Sequence, residues 1–408
     1  MTVLTTRWLD INKGDRQHPK IRCRLVGREI ARERRDDLFA GTPPLESLRA
    51  ILAMCASRQS QKKPARIMAL DVSRAYFYAP ATRAIHIHIP AEDRVPGDEG
   101  MVAKLNLSLY GTRDAAQNWV ATYTKFLNAC GFRTGKGSPC NFWNEARDMA
   151  ITVHGDDFTC CGSAEDLRWL QHKFEAKFEV TSSILGPDSG QAQEVKILNR
   201  IIRWEKGGIA YEADQRHAEL VIRELGLQNA KPVSTPGTKE DTAAGSAPTG
   251  GMCLTVEENS ELLPAHEASK YRQIAARLNY LALDRTKLQY SCKEASRRMA
   301  VPRVCDWRML KRIGRFLVGA PRSIQQFPWQ HMPTSFYIFI DSHCAGCQAA
   351  CRSTSGGIVR WGRHCLKTWS SPQANIALSN AEAEFYALTK GAAQALGFMA
   401  MMDDVWRF

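Results

Sequence analysis

The chain has 408 residues, 44% of them hydrophobic, and a formal net charge of +13. That length holds two or three domains with cores of their own. No apolar run reaches the length of a membrane span, and the start MTVLTTRWLDINKGDR lacks the apolar centre of an export signal. The expected location is therefore inside the cell, in cytoplasm, nucleus or both, with the 13 cysteines as reduced thiols. The positive balance points to a polyanionic partner, because each phosphate contact releases counterions. The plain alternative is a surface that is simply basic.

Residues 1–65 are basic and turn-rich, with Arg22 and Arg24 alternating with Cys23 and Leu25 in a short strand. Helical spacing of Leu48, Ile51, Leu52 and Cys55 predicts a helix over 45–57. An apolar strand over 66–71 ends at Asp71, and Ile85, Ile87 and Ile89 alternate with His86 and His88 as a half-exposed strand. Residues 114–130 suit a helix carrying Trp119, Tyr123, Phe126 and Cys130. Residues 149–161 read as strand, tight turn, strand. An amphipathic helix over 164–178 places Leu167, Leu170, Phe174 and Phe178 on one face, and Ser163 with Asp166 forms a start resembling a capping box.

Between about 230 and 267 the run PVSTPGTKEDTAAGSAPTGG has the composition of a linker. Helical periodicity resumes at Tyr271. In 307–318, Leu310, Ile313 and Leu317 share a face, while Arg308, Lys311, Arg312 and Arg315 form either a template-binding face or a solvated one. The strand FYIFID ends at Asp341. Leu378, Ala381, Phe385 and Leu388 share a helical face, which leaves Glu384 pointing away from the expected core. The cluster Cys344, Cys347 and Cys351, near His343 and His364, lacks the second paired half of a zinc motif.

The turn VHGDDF, residues 153–158, is the most informative segment. It presents Asp156 and Asp157 together, and Asp71 ends an earlier strand. Three carboxylates on two strand-like segments are what a pair of divalent cations needs for phosphoryl transfer. Hard magnesium prefers such oxygens. Gly155 permits a sharp bend or the close approach of a primer end. An Asp-Asp pair alone is usually a solvated turn; its weight here comes from order and context.

The segments LVGREI, MALDVSRAYF, LSLYGTRDAAQNW, VHGDDF, KPVSTP, YRQIAARLNYLA and RSTSGGIVRWG, followed by LSNAEAEFYAL, run in the order of a copia-type retrotransposon polyprotein. The chain resembles that family from about residue 7 to 404. The resemblance implies an α+β fold: a right-hand polymerase of fingers and palm with a thumb-like segment, joined to a truncated RNase H-like α/β domain. The expected divisions are 1–230 for fingers, palm and thumb-like segment, 231–267 for a flexible linker, 268–330 for a helical connection and 331–408 for the partial RNase H-like domain.

By that resemblance Asp71, Asp156 and Asp157 are catalytic metal ligands for two Mg2+ ions, with Mn2+ as a substitute. Tyr76 matches the aromatic under the incoming sugar, with a core aromatic role as the alternative. Arg22 and Arg24 match a basic strand that contacts the triphosphate. Asp341 and Glu384, with Glu382 as the fallback, match the first two RNase H carboxylates. The next catalytic aspartate of that family has no counterpart, since Asp403 and Asp404 fall at a helix end, so RNase H activity is expected to be absent. Implied partners are RNA and DNA primer–template, deoxynucleoside triphosphates, and integrase and protease regions in fusion, or a second copy; no membrane is expected.

Departures accompany the match. His154–Gly155 stands where the family has tyrosine-valine, Asp114 and Ala116 stand where it has glutamine and proline, and His343 replaces another acidic residue. Two functions therefore compete: RNA-directed DNA polymerase, and a degenerate or host-retained copy that binds nucleic acid without catalysis.

Overall fold

The structure is a computed structural model that describes residues 2–30, 33, 35, 38–237, 260–347 and 351–405. The expected linker between 238 and 259, and part of the Cys344–Cys347–Cys351 spacing, lie outside the described residues. Contacts divide the chain into two units, Met1–Ile51 with Pro64–Ile184 and Ala400–Phe408, and Leu52–Lys63 with Leu185–Met399.

In chain order the first unit draws on β1 (Thr2–Leu4), β2 (Thr6–Asn12), β3 (Ile21–Gly27), α1 (Leu45–Ser57), β4 (Ala65–Val72), β5 (Ile85–His88), β6 (Val102–Lys104), α2 (Ala115–Ala129), β7 (Arg133–Thr134), β8 (Asn141–Asn144), β9 (Met149–His154), β10 (Asp157–Ser163), α3 (Ala164–Glu175) and β11 (Val180–Leu185). Its centre is a six-stranded sheet in the order β11-β4-β10-β9-β8-β7. β4 pairs antiparallel with β10, and β10 with β9. Apolar side chains of these strands, among them Met68, Leu70, Ile151, Val153 and Phe158, meet Trp119, Tyr123, Leu127, Leu167, Leu170 and Phe174 in one buried core. Edge-to-face aromatic contacts, such as those of Trp119 with Phe158 at 6.4 Å and with Phe178 at 5.6 Å between ring centroids, add specificity to that burial.

Local chemistry sets the element ends. Ser163 caps α3, its Oγ accepting from the Asp166 amide at 3.2 Å and donating to the Asp166 carboxylate at 2.6 Å. Phe178 joins the core from beyond the helix end. In β5, Ile85 and Ile87 are buried, His86 is half-buried and His88 is exposed, close to what the alternation predicts.

The second unit contains β12 (Glu194–Ile197), β13 (Arg200–Glu205), β14 (Gly208–Glu212), α4 (Arg216–Glu224), α5 (Ala265–Ala282), α6 (Gln289–Arg297), α7 (Trp307–Gly319), β15 (Ile324–Pro328), β16 (Phe336–Cys347), β17 (Arg352–Trp361), β18 (His364–Pro372) and most of α8 (Asn380–Val405). One antiparallel sheet runs β12-β13-β14-β15 and another β16-β17-β18. Helices α4 to α7 share a core of Val221, Tyr271, Ile274, Leu278, Leu310, Ile313 and Leu317. The basic residues of α7 are partly engaged: Arg312 donates to Thr235 and Arg315 to the Lys231 carbonyl.

Helix α8 corrects one expectation. Leu378 precedes the helix and is 91% exposed, and Phe385 and Leu388 on it are exposed at 64% and 55%, while Ala383 and Ala387 are buried. A Cβ on Gly391 would lie 2.6 Å from Ile340. Small residues four apart let the helix lie close to β16, and their stripe has the same period as the Leu and Phe stripe, so periodicity cannot choose between them.

Candidate active site

Across the β4–β10 ladder Asp157 stands directly opposite Asp71, and across β9–β10 it stands opposite His154. Residues directly opposite in an antiparallel pair point to the same face, so Asp71 and Asp157 share one face of the sheet. Gly155 and Asp156 form the connecting turn. Gly155 has φ of +70°, and a Cβ there would meet nothing within 4 Å, so its backbone conformation and not space demands glycine. Two hydrogen bonds fix the turn: the Trp119 indole donates to the Gly155 carbonyl at 2.8 Å, and the Val72 amide donates to the Asp156 carbonyl at 3.1 Å.

The electrostatics follow from this geometry. Partial burial, then the charges of Asp156 and Asp71, push the Asp157 carboxyl up to about 6, against a weaker pull from His154. Asp71 is raised by burial of its carboxyl and by Asp156, while Arg22 and Lys13 act in the opposite direction. Like charges held on one face of a sheet are a donor set of hard oxygens that a divalent cation would relieve. Yet among the described residues no group of three His, Cys, Asp or Glu side chains is arranged to hold a metal ion. The residue types and the shared face fit such an ion, and the side chains would have to turn toward one another to grip it.

Around the carboxylates stand the other expected residues. Tyr76 lies in a short 3-10 turn, Ala75–Tyr78, directly after β4. Its ring lies against Tyr110, tilted by 35° with centroids 4.5 Å apart, and Arg24 lies over the Tyr110 ring at 5.4 Å. Burial and the Asp156 charge raise both phenols, which places Asp156 within electrostatic reach of each. Arg22, two residues from Arg24 on β3, acts on Asp71 and on Tyr110. β3 is anchored there by the Gly27 amide, which donates to the Tyr110 carbonyl at 2.7 Å. The structure thus brings Arg22, Arg24, Tyr76, Asp71, Asp156 and Asp157 into one neighbourhood.

Two contributors escaped the sequence reading. Tyr110 joins the Tyr76 and Arg24 groups, and its only linear signal is its place before Gly111 in the LSLYGTRDAAQNW run. Trp119 reads as a core residue from its helical face, but its indole N–H also holds the turn.

Asp114 does not project into this neighbourhood as a free charge. Arg83 bridges Asp114 at 2.7 Å and Glu29 at 2.9 Å, and the Asp114 side chain is 3% exposed. Burial alone would raise the Asp114 carboxyl; the bonds from Arg83 outweigh it and hold it below its usual range. The unexpected carboxylate is thus neutralised by an arginine 31 residues away in the chain.

Asp341 and Glu384 are positioned differently. In β16, Ile338 and Ile340 lie on the α8 side, whereas Tyr337, Phe339 and Asp341 alternate onto the exposed side. Glu384 accepts hydrogen bonds from the Ser342 amide at 3.2 Å and from its hydroxyl at 2.9 Å. Glu382 instead accepts from the Leu378 amide and the Tyr386 hydroxyl. Pleating therefore turns Asp341 away from the helix that carries Glu384.

Residues 2–239 match a family model described as reverse transcriptase (RNA-dependent DNA polymerase). The chain is 23% identical over 399 residues to the retrovirus-related Pol polyprotein from transposon TNT 1-94 of Nicotiana tabacum, covering 96% of this chain and 28% of that protein. It is 23% identical over 416 residues to the retrovirus-related Pol polyprotein from transposon RE2 of Arabidopsis thaliana, covering 99% of this chain and 26% of that protein. An uncharacterized mitochondrial protein of Arabidopsis thaliana is 26% identical over 250 residues, covering 60% of this chain and 92% of that protein. The chain spans 28% and 26% of the length of the two polyproteins.

Proposed function

The chain belongs to the reverse transcriptase (RNA-dependent DNA polymerase) family, and from that premise we propose that it is the polymerase part of a copia-type retroelement polyprotein. In this reading it extends a primer 3′-hydroxyl on an RNA template using deoxynucleoside triphosphates. The observation that carries the proposal is Asp157 facing Asp71 across one ladder with Asp156 in the adjoining turn.

The six-stranded sheet would be the palm and the β2–β3 hairpin part of the fingers. Asp71, Asp156 and Asp157 would hold two Mg2+ ions, or Mn2+ in their place. When bound, such ions lower the pKa of the attacking hydroxyl and neutralise charge on the departing pyrophosphate. Tyr76, packed against Tyr110, would lie under the incoming sugar and disfavour a 2′-hydroxyl. Arg22 and Arg24 would meet the triphosphate oxygens, to which a guanidinium fork is matched. The β16-β17-β18 sheet with α8 would be an RNase H-like remnant without hydrolytic activity, which the opposite facings of Asp341 and Glu384 support. Integrase and protease regions of a longer polyprotein, or a second copy, would be its neighbours.

Primer extension on an RNA template tests this, with Mg2+ and with Mn2+. Extension by the chain should exceed that of the Asp156→Asn, Asp157→Asn double variant by about a hundredfold or more, the scale on which loss of transition-state charge stabilisation acts. Equal extension by both proteins removes the polymerase reading.

One observation favours a second reading, nucleic-acid binding without catalysis: the three carboxylates do not converge in this structure, among the described residues. Salt-dependent primer–template binding with no incorporation under either metal would select it.

A further inference from the structure

The loop between β7 and β8 holds a buried carboxylate by its backbone. The amides of Lys136, Gly137 and Ser138 donate to one carboxylate, that of Asp404, at 2.5, 3.1 and 2.6 Å. Asp404 is 5% exposed. Three successive amides aimed at one group form a nest, a backbone arrangement that binds anions without sequence-specific side chains. The loop is shaped for close approach: a Cβ on Gly135 would stand 2.5 Å from the Asp404 carboxyl carbon. A cleft of about 370 Å³ adjoins it, bordered by the cationic side chains of Arg133 and Lys136.

The position of the nest indicates what anion it would meet. β8 begins at Asn141, which pairs with Thr152 of β9, and the Cys140 carbonyl accepts from the Val153 amide. The loop therefore emerges at the same end of the sheet as the turn bearing Asp156 and Asp157. β8 lies two strands from β10, which is roughly 10 Å at ordinary strand spacing. A polyanion lying across that end of the sheet passes both features.

We propose that the Lys136–Ser138 nest is a binding site for a nucleic-acid backbone phosphate, closed in cis by the Asp404 carboxylate. Asp404 supplies the charge and acceptor oxygens that a phosphodiester would supply, so the two exclude each other. The end of α8 thereby lowers the affinity of the chain for its polyanionic partner until Asp404 is displaced. That the phosphate comes from nucleic acid rests on the function proposed above; that the nest takes phosphate does not.

The test uses the full chain and Asp404→Ala, with Asp403→Ala as control. Asp403 is exposed, carries the same charge and takes none of the three amides. In the first arm, millimolar inorganic phosphate should raise the thermal midpoint of Asp404→Ala beyond chloride of equal ionic strength, and should not do so for the other two proteins. No phosphate-specific gain overturns the nest. In the second arm, Asp404→Ala should bind a primer–template several-fold tighter than Asp403→Ala, with a log–log salt slope steeper by about 0.9, the value of one added phosphate contact. Equal affinity and slope in the two variants overturn the nucleic-acid assignment. If no protein binds primer–template but the phosphate gain persists, the proposed function fails and the nest stands. Should Asp404→Ala not fold, Asp404→Ser replaces it in both arms.

Discussion

Asp157 and Asp71 face each other across an antiparallel ladder, so two carboxylates share one side of a sheet whose other side is packed with aromatic rings. The arrangement costs stability in the absence of a counter-ion, and the cost is visible in the raised carboxyls.

That cost predicts a pH dependence. An unfolded aspartate titrates near 3.8 and folded Asp157 near 6. Between those values the folded state holds more protons than the unfolded one, so stability falls as pH rises through the window. Asp157→Asn should remove this loss. Its unfolding free energy in urea should exceed that of the unaltered chain above pH 6, by on the order of 1 kcal/mol after solvent screening. The difference should fade as pH drops toward 4. A constant difference at every pH would contradict the assignment.

Trp119→Phe keeps an aromatic ring in the core and deletes the donor to the Gly155 carbonyl. Denaturant unfolding should show a loss of about 1–3 kcal/mol, combining the hydrogen bond with the smaller ring. Because the bond holds the turn beside Asp156, primer extension should fall further than in a variant of equal stability altered far from the turn.

Arg83→Met leaves Asp114 and Glu29 as partly buried carboxylates without their ion-pair partner. Breaking such a pair costs about 3–5 kcal/mol, so the midpoint should drop steeply near neutral pH. The drop should shrink in acid, because both carboxyls are held low by Arg83 and protonate more readily once it is gone. A pH-independent loss would point to packing alone.

Tyr76→Val tests the residue packed against Tyr110. Ribonucleotide incorporation relative to deoxynucleotide should rise at least several-fold, with thermal stability lowered by no more than about 2–3 kcal/mol for the lost ring area. Unchanged discrimination with lowered stability would assign Tyr76 to the core alone.

The elements nearest the site were legible because local rules and packing agree there. The strand ending at Asp71, the hairpin around Gly155 and the helix capped by Ser163 each carry a periodicity or a cap that needs no distant partner. Helix α8 was legible as a helix but not in its orientation, since the Ala383, Ala387 and Gly391 stripe competes with the stripe of Phe385 and Leu388. Asp114 read as an intruding charge because its partner Arg83 is 31 residues away in the chain.

The sequence by itself determined which chemical groups exist and in what order: three aspartates, a basic strand, an aromatic after Asp71, and a glycine free to bend before Asp156. Tertiary structure decided their registry. It set Asp157 against Asp71, packed Tyr76 against Tyr110, neutralised Asp114 through Arg83, turned Asp341 away from Glu384 and seated Asp404 in the Lys136–Ser138 amides. The physical reason is that pairing register and burial are settled by contacts between segments far apart in the chain, which no local pattern encodes.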